Sequence, residues 1–307
     1  MKLAKHFQKE GHGAIMKQGK FAKPFLIEDG SHFRLKDFDP AETLGLKSKE
    51  QAKESLERGI VRLAKLQEKL YAQDRWAILM ILQGMDAAGK DSTIKHVMSG
   101  VNPQGCQVNA FKAPSNEELQ HDYLWRTSCS LPERGKIGIF NRSYYEEVLA
   151  VRVHPELLVR ENIPEKLVAD DIWKKRFEDI NAFERYLSGN GIVVLKFFLH
   201  LSKKEQKRRF LERIEEPAKN WKFSLSDALE RQRWDKYMRA YEDVVRNTST
   251  KHAPWHVVPA DHKWFARLVV AEATIAAMES LDLSFPKMDA QKRKELKDAR
   301  AALNRET

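Results

Sequence analysis

The chain has 307 residues, 54 basic against 44 acidic side chains, and a formal net charge of +10. With 42% hydrophobic residues it carries enough apolar material for a folded core, while no apolar run nears the roughly 20 residues of a membrane span. Cys106 and Cys129 make neither a disulfide framework nor a zinc pattern, and the N-terminal residues are positive without the apolar stretch of a secretory signal, so a cytoplasmic α/β protein is expected.

Residues 1–47 read as an irregular arm. Ser48 and Gln51 then form a capping-box pattern. Ala52, Leu56, Ile60, Leu63, Leu66 and Leu70 recur at helical spacing, which predicts a long amphipathic helix beside the first strand. That strand is the apolar run 76–82. Runs at 107–111, 136–140, 192–199 and 255–258 predict four more, with helices at 93–99, 117–127, 173–188 and 203–214 between them. Ser115 with Glu118, and Ser202 with Glu205, mark two of the helix starts. Strands alternating with helices imply a five-stranded parallel sheet covered by helices, with ligands bound beyond the carboxyl ends of the strands.

Gly84, Met85, Asp86, Ala87, Ala88, Gly89 and Lys90 follow the first strand, and Asp91, Ser92 and Thr93 lead into the next helix. Two glycines four residues apart, then a lysine, are the frame of a phosphate-binding loop. The glycines let backbone N–H groups turn inward around a phosphate, and the lysine and the helix N-terminus add positive charge. One departure has chemical consequences. That frame usually puts Ser or Thr directly after the lysine; here Asp91 stands there, and Asp86 lies inside the loop. Carboxylates repel phosphate unless a cation lies between, so Asp86 and Asp91 predict bound Mg²⁺.

A second polar set follows the strand at 136–140. Asn141, Arg142, Glu146 and Glu147 stand at a strand's carboxyl end, facing the glycine loop. Arg142 is expected to steady charge on a transferred phosphoryl group. Glu146 is expected at the reacting centre and Glu147 as a further metal ligand. From 203 to 250 there is no strand pattern, only two helical ones divided near Pro217, with Ser226 capping the second. Arg208, Arg209, Arg213, Lys219 and Lys222 cluster there, which reads as a basic helical lid over phosphates. The expected division is thus an arm at 1–47, a main domain at 48–285 and a charged C-terminal tail at 286–307.

These stretches, with Trp221, Lys222, Phe223 and Ser224, with Trp234, Asp235 and Tyr237, and with Trp255, Asp261 and Trp264, resemble the polyphosphate kinase 2 family over roughly residues 30–283. The resemblance implies a P-loop kinase fold with a helical lid, and Mg²⁺-dependent, reversible phosphoryl transfer between inorganic polyphosphate and nucleoside phosphates, AMP and ADP going to ADP and ATP. By position it implies Asp86, Lys90, Asp91 and Arg142 in the active site, with the basic lid residues lining a polyphosphate channel. Many members have Asp where this chain has Asn141. Asn141, Arg142 and Ser143 with the following Glu pair are similar to the subgroup acting on both AMP and ADP. The family also implies a homo-oligomer, dimer or tetramer. Two other readings remain: an ATP-dependent nucleotide or small-molecule kinase, which shares the loop, and a nucleic-acid-binding protein using the positive charge. The second lacks a zinc pattern or a ribonucleoprotein aromatic motif, and neither nucleic acid nor membrane is expected as a partner.

Overall fold

The apolar run expected at 76–82 lies at the middle of the molecule. The computed structural model describes residues 19–306, apart from the side chain of Lys222; residues 1–18 of the expected arm lie outside it. In chain order the elements are β1 (Leu26–Ile27), α1 (Lys49–Gln73), β2 (Ala77–Gln83), α2 (Lys90–Val97), β3 (Cys106–Ala110), α3 (Trp125–Ser128), β4 (Ile137–Asn141), α4 (Ile172–Gly189), β5 (Ile192–His200), α5 (Lys203–Glu215), α6 (Leu225–Glu230), α7 (Trp234–Thr248), β6 (Trp255–Pro259), α8 (Lys263–Glu279) and α9 (Ala290–Leu303). Short 3-10 turns join several of them, with one π-helical turn at Glu147–Val151.

Every residue of β2 is buried, because the sheet is covered on both faces. Side chains alternate along a strand, so Ile78, Met80 and Leu82 pack on one face with Leu63 and Leu70 of α1 and Phe265 and Val269 of α8. Leu79 and Ile81 pack on the other with Ile180 and Leu187 of α4 and Val244 and Val245 of α7. This is why the strand reads as a continuous apolar run rather than an alternating one.

The sheet has six strands in the order β1-β6-β5-β2-β4-β3. Five run parallel, as expected. The sixth, β1, pairs antiparallel with β6, Leu26 opposite His256 and Ile27 opposite Trp255. The chain leaves β2 for one side of the sheet and later returns to β5 on the other. A crevice therefore opens at the carboxyl end of β2, where ligands bind in such sheets.

Three expectations are corrected. The arm is not irregular throughout: β1 covers the edge of β6, and Phe25, Phe33 and Leu35 are buried. The stretch 117–127 is not one helix. Ser115 and Glu118 do exchange the two hydrogen bonds of a capping box, at 2.6 and 3.2 Å, but they start only a 3-10 turn. Asp122 Oδ1 then accepts the Leu124 N–H at 2.9 Å, which restarts the chain as the four-residue α3. Between 203 and 250 lie three α-helices rather than two, and the Ser224 side chain, not Ser226, caps α6. Among the described residues no helix is long and apolar enough to cross a membrane.

Candidate active site

Past the end of β2 the backbone turns through Gly84 (φ +155°), Ala87 (φ +65°) and Gly89 (φ +104°). A Cβ on Gly84 would lie 2.9 Å from the Leu199 carbonyl oxygen of β5, so only glycine lets the loop lie this close to the neighbouring strand. The Ala88 N–H donates to Met85 O at 3.0 Å, and the Thr93 N–H to Gly89 O at 2.8 Å. Met85, Ala87, Ala88 and Thr93 are all buried. Lys90 opens α2, and its ammonium reaches back to donate to Gly84 O at 2.6 Å and Met85 O at 3.4 Å. Burial, reinforced by Arg142, pulls Lys90 below the usual lysine range, against the charges of Asp86, Glu146 and Asp91.

At the end of β4, Arg142 sits in the left-handed region (φ +64°) with its N–H on Leu82 O at 3.0 Å. That conformation is uncommon for a long side chain. It swings the guanidinium over the glycine loop, where Nη2 meets Asp86 Oδ1 at 2.8 Å. Glu146 acts most strongly on Arg142; with Asp86 it outweighs the effect of burial and raises the guanidinium's affinity for its proton. Asn141 Nδ2 donates a short hydrogen bond to Asp91 Oδ1. Five expected residues, Asp86, Lys90, Asp91, Arg142 and Glu146, thus share one crevice, with Asn141 at its edge. Ser92 does not join them: its hydroxyl accepts from Arg267 Nη2 of α8 at 2.6 Å.

Beside this crevice a cavity of about 240 Å³ is bounded by Phe111, Pro114, Leu119, Tyr123, Arg142 and Glu146, among others. Glu147, expected as a metal ligand, lies in its wall against an arginine of α4. Arg176 Nε donates to Glu147 Oε1 at 2.8 Å, Glu161 approaches the same guanidinium at 3.7 Å, and that guanidinium lies 4.5 Å from the centre of the Tyr123 ring. Burial and the Glu147 charge push the Glu161 carboxyl up to about 8. Glu147 is thus ion-paired with an arginine on α4.

The helical segment α5–α7 leans on the loop. Gln206 Nε2 donates to Asp86 O at 2.9 Å. Arg209, expected in a channel, is buried: Nη1 donates to Ala87 O and Ala88 O at 2.8 and 3.1 Å, Nη2 to Ala260 O and Asp261 O at 2.6 and 3.0 Å, and Nε to Glu205 at 2.8 Å. With its N–H groups spent on protein oxygens, it braces the glycine loop against the end of β6. Arg208 is exposed and paired with Glu205 and Glu212, Lys219 with Glu212 and Glu216. Arg213 lies over the Phe210 ring at 5.6 Å, and Phe223 meets the same ring edge-on at 6.2 Å, pinning the bend after α5. The side chain of Lys222 lies outside the described residues. Asp227 of α6 comes near enough to Asp86 that burial and that charge push its carboxyl up. Sequence reasoning missed Gln206, Asp227, Glu161 and Arg176. Only the four-residue spacing of Glu205 and Arg209 hinted at a brace.

Glu205 carries a pH prediction. Burial opposes its ionisation, but hydrogen bonds from Arg208 and Arg209 outweigh that and bring the carboxyl from 4.5 down to about 2. A depressed carboxylate contributes stability that is present above the unfolded value and lost as pH falls through the folded one. Between pH 4.5 and about 2 the Glu205→Gln variant should therefore lose less stability than the wild type, as read by urea unfolding at several pH values.

The family model for Polyphosphate kinase 2 matches residues 46–286. The chain belongs to the polyphosphate kinase 2 family. It is 51% identical over 282 residues to the ADP-polyphosphate phosphotransferase of Rhodopseudomonas palustris, covering 92% of this chain and 98% of that protein. It is 43% identical to the AMP/ADP-polyphosphate phosphotransferase of Meiothermus ruber, over 86% of this chain and 95% of that one. The crystal structure of polyphosphate kinase 2 from Arthrobacter aurescens superposes with a TM-score of 0.82 at 40% identity, covering 91% of this chain and 98% of that one. Within this polyphosphate kinase 2 chain, Asp91 takes the place where an ordinary phosphate loop has a hydroxyl, and it is tied to the end of β4 through Asn141.

Proposed function

We propose that this chain transfers a phosphoryl group reversibly between inorganic polyphosphate and AMP or ADP, on a P-loop kinase fold with α5–α7 as its lid. One observation carries the reading: Lys90, Arg142, Asp86 and Asp91 converge where the glycine loop meets the end of β4. The activities named for the relatives support it. The donor's terminal phosphate lies on the loop's N–H groups and the N-terminus of α2. Lys90 and Arg142 stabilise the charge spread over the PO₃ unit during in-line transfer. No general base is needed, because a nucleotide phosphate is already an ionised acceptor. One anhydride replaces another, so the reaction runs both ways. The acceptor nucleotide enters through the cavity bounded by Phe111 and Tyr123. The lid cations Arg208 and Lys219 exchange their carboxylate partners for phosphates along the donor chain.

The donor set fits a hard divalent cation, and magnesium in particular. Among the described residues no group of three or more candidate ligands forms a cage, and Asp86 and Asp91 each keep one carboxylate oxygen outside any hydrogen bond. Magnesium is commonly held in that way, by one or two carboxylates and the substrate's phosphates. When bound there it neutralises charge between donor and acceptor oxygens.

The reading is tested by incubating the protein with ADP, long-chain polyphosphate and Mg²⁺ in the absence of ATP. ATP is expected, measured by luciferase luminescence, and AMP in place of ADP should yield ADP first. Product only when ATP is supplied as donor would instead identify an ordinary nucleotide kinase.

A further inference from the structure

On the flank of α7 turned away from the catalytic crevice, Arg152, Val153 and Pro155 face Lys236, Arg239 and Asp243 across a cavity of about 290 Å³. We propose that this cavity is a second oxyanion site, one that takes a phosphate-type anion, whether free pyrophosphate or a distal unit of a polyphosphate chain.

Three cations and one carboxylate line it. Arg152 Nη2 donates to Asp243 Oδ2 at 2.7 Å, and the guanidinium packs against the Phe177 ring, 5.8 Å from its centre, which fixes its plane. Its other terminal nitrogen, Nη1, is buried with no hydrogen-bond partner among the described residues. Lys236 and Arg239 lie three residues apart on one face of α7, and among the described residues neither has an ion pair or hydrogen bond. Asp243, four residues after Arg239, is the partner an isolated helix would offer it; here that carboxylate is taken by Arg152. Three clustered cations with one counter-charge repel one another. A phosphate-type anion resting between Lys236 and Arg239, beside the Arg152–Asp243 pair, supplies the counter-charge that they lack.

The site is distinct from the reacting centre. Tyr237 and Tyr241 lie on the other flank of α7, where the charges of Glu146 and Asp86 act on their hydroxyls. A helix with its side chains is about 10 Å across, so an anion held by Lys236 and Arg239 is not the one being transferred.

Isothermal titration calorimetry of the full chain tests this, with pyrophosphate in one arm and a long polyphosphate in the other. Lys236→Met/Arg239→Met alters two exposed side chains and should keep the fold. It should weaken the non-catalytic binding phase about tenfold or more and leave ATP formation from ADP and tripolyphosphate unchanged. A loss seen with pyrophosphate identifies the free anion as the ligand; a loss confined to the long polymer identifies a distal chain unit. Asp243→Asn removes the competing carboxylate and should shift binding the other way, severalfold tighter. Unchanged binding of both anions by the double variant, or weaker binding by a folded Asp243→Asn protein, overturns the proposal. The readout is binding rather than turnover, so its outcome is separate from that of the phosphoryl-transfer reading.

Discussion

Replacing Lys90 by methionine is expected to lower kcat for ATP formation from ADP and polyphosphate by about 10²–10³ while the fold is kept. The side chain is buried at the root of the glycine loop, and methionine keeps most of its volume. What is lost is one buried ammonium that donates to Gly84 O and Met85 O, at the loop proposed to hold phosphate. A preorganised charge is worth more in such a site than in water, because nothing has to reorganise during transfer. The same groups face Arg142, held by Asp86 across the crevice, so a residual rate from Arg142 should survive in Lys90→Met. Circular dichroism and a thermal melt on the same sample check the fold, and initial rates at saturating ADP give the loss in kcat.

The second large effect is on stability. Glu184→Ala should destabilise the fold by about 3–5 kcal/mol, read from the urea midpoint. Lys196 of β5 and Glu184 of α4 are both fully buried and meet at 2.6 Å. The ammonium also donates to the Tyr145 hydroxyl at 2.9 Å and Thr248 O at 2.7 Å. The second carboxylate oxygen takes the Tyr144 and Tyr145 hydroxyls at 2.8 and 2.7 Å. Removing the carboxylate leaves a buried ammonium without its counter-charge and Tyr144 without its hydrogen-bond partner. Replacing both charges, as Glu184→Leu/Lys196→Met, should cost less than Glu184→Ala alone, because no charge is then left unpaired. Tyr144 and Tyr145 follow Arg142 by two and three residues, so the network also anchors the turn that aims Arg142. Glu184→Ala should therefore lose activity at temperatures where it is still folded.

Much of this was legible because the responsible patterns are local. The glycine spacing and the lysine placed the loop. The apolar runs placed five strands to within one or two residues, 192–199 against Ile192–His200, for example. What stayed hidden depends on tertiary packing. Strand β1 is two residues long, too short for any period. Helix α8 buries twelve side chains around its circumference and so shows no amphipathic stripe. Glu146 and Glu147 are adjacent, but the chain there passes from a 3-10 turn into a π-helical one. Neighbours on such a turn point about a third of a turn apart, so one faces Arg142 and the other Arg176. Arg208 and Arg209 divide likewise, one to solvent and one to the loop, and only the buried oxygens around Arg209 tell them apart.

Direct passage of the terminal phosphoryl group is the claim on which the rest depends. Polyphosphate labelled with ³²P in its end unit, mixed with ADP and Mg²⁺, should place the label at the γ position of ATP, in step with polymer shortening, and this transfer should collapse in Lys90→Met. Label released as orthophosphate while ADP is left unchanged, or label found on the protein itself, would contradict the account.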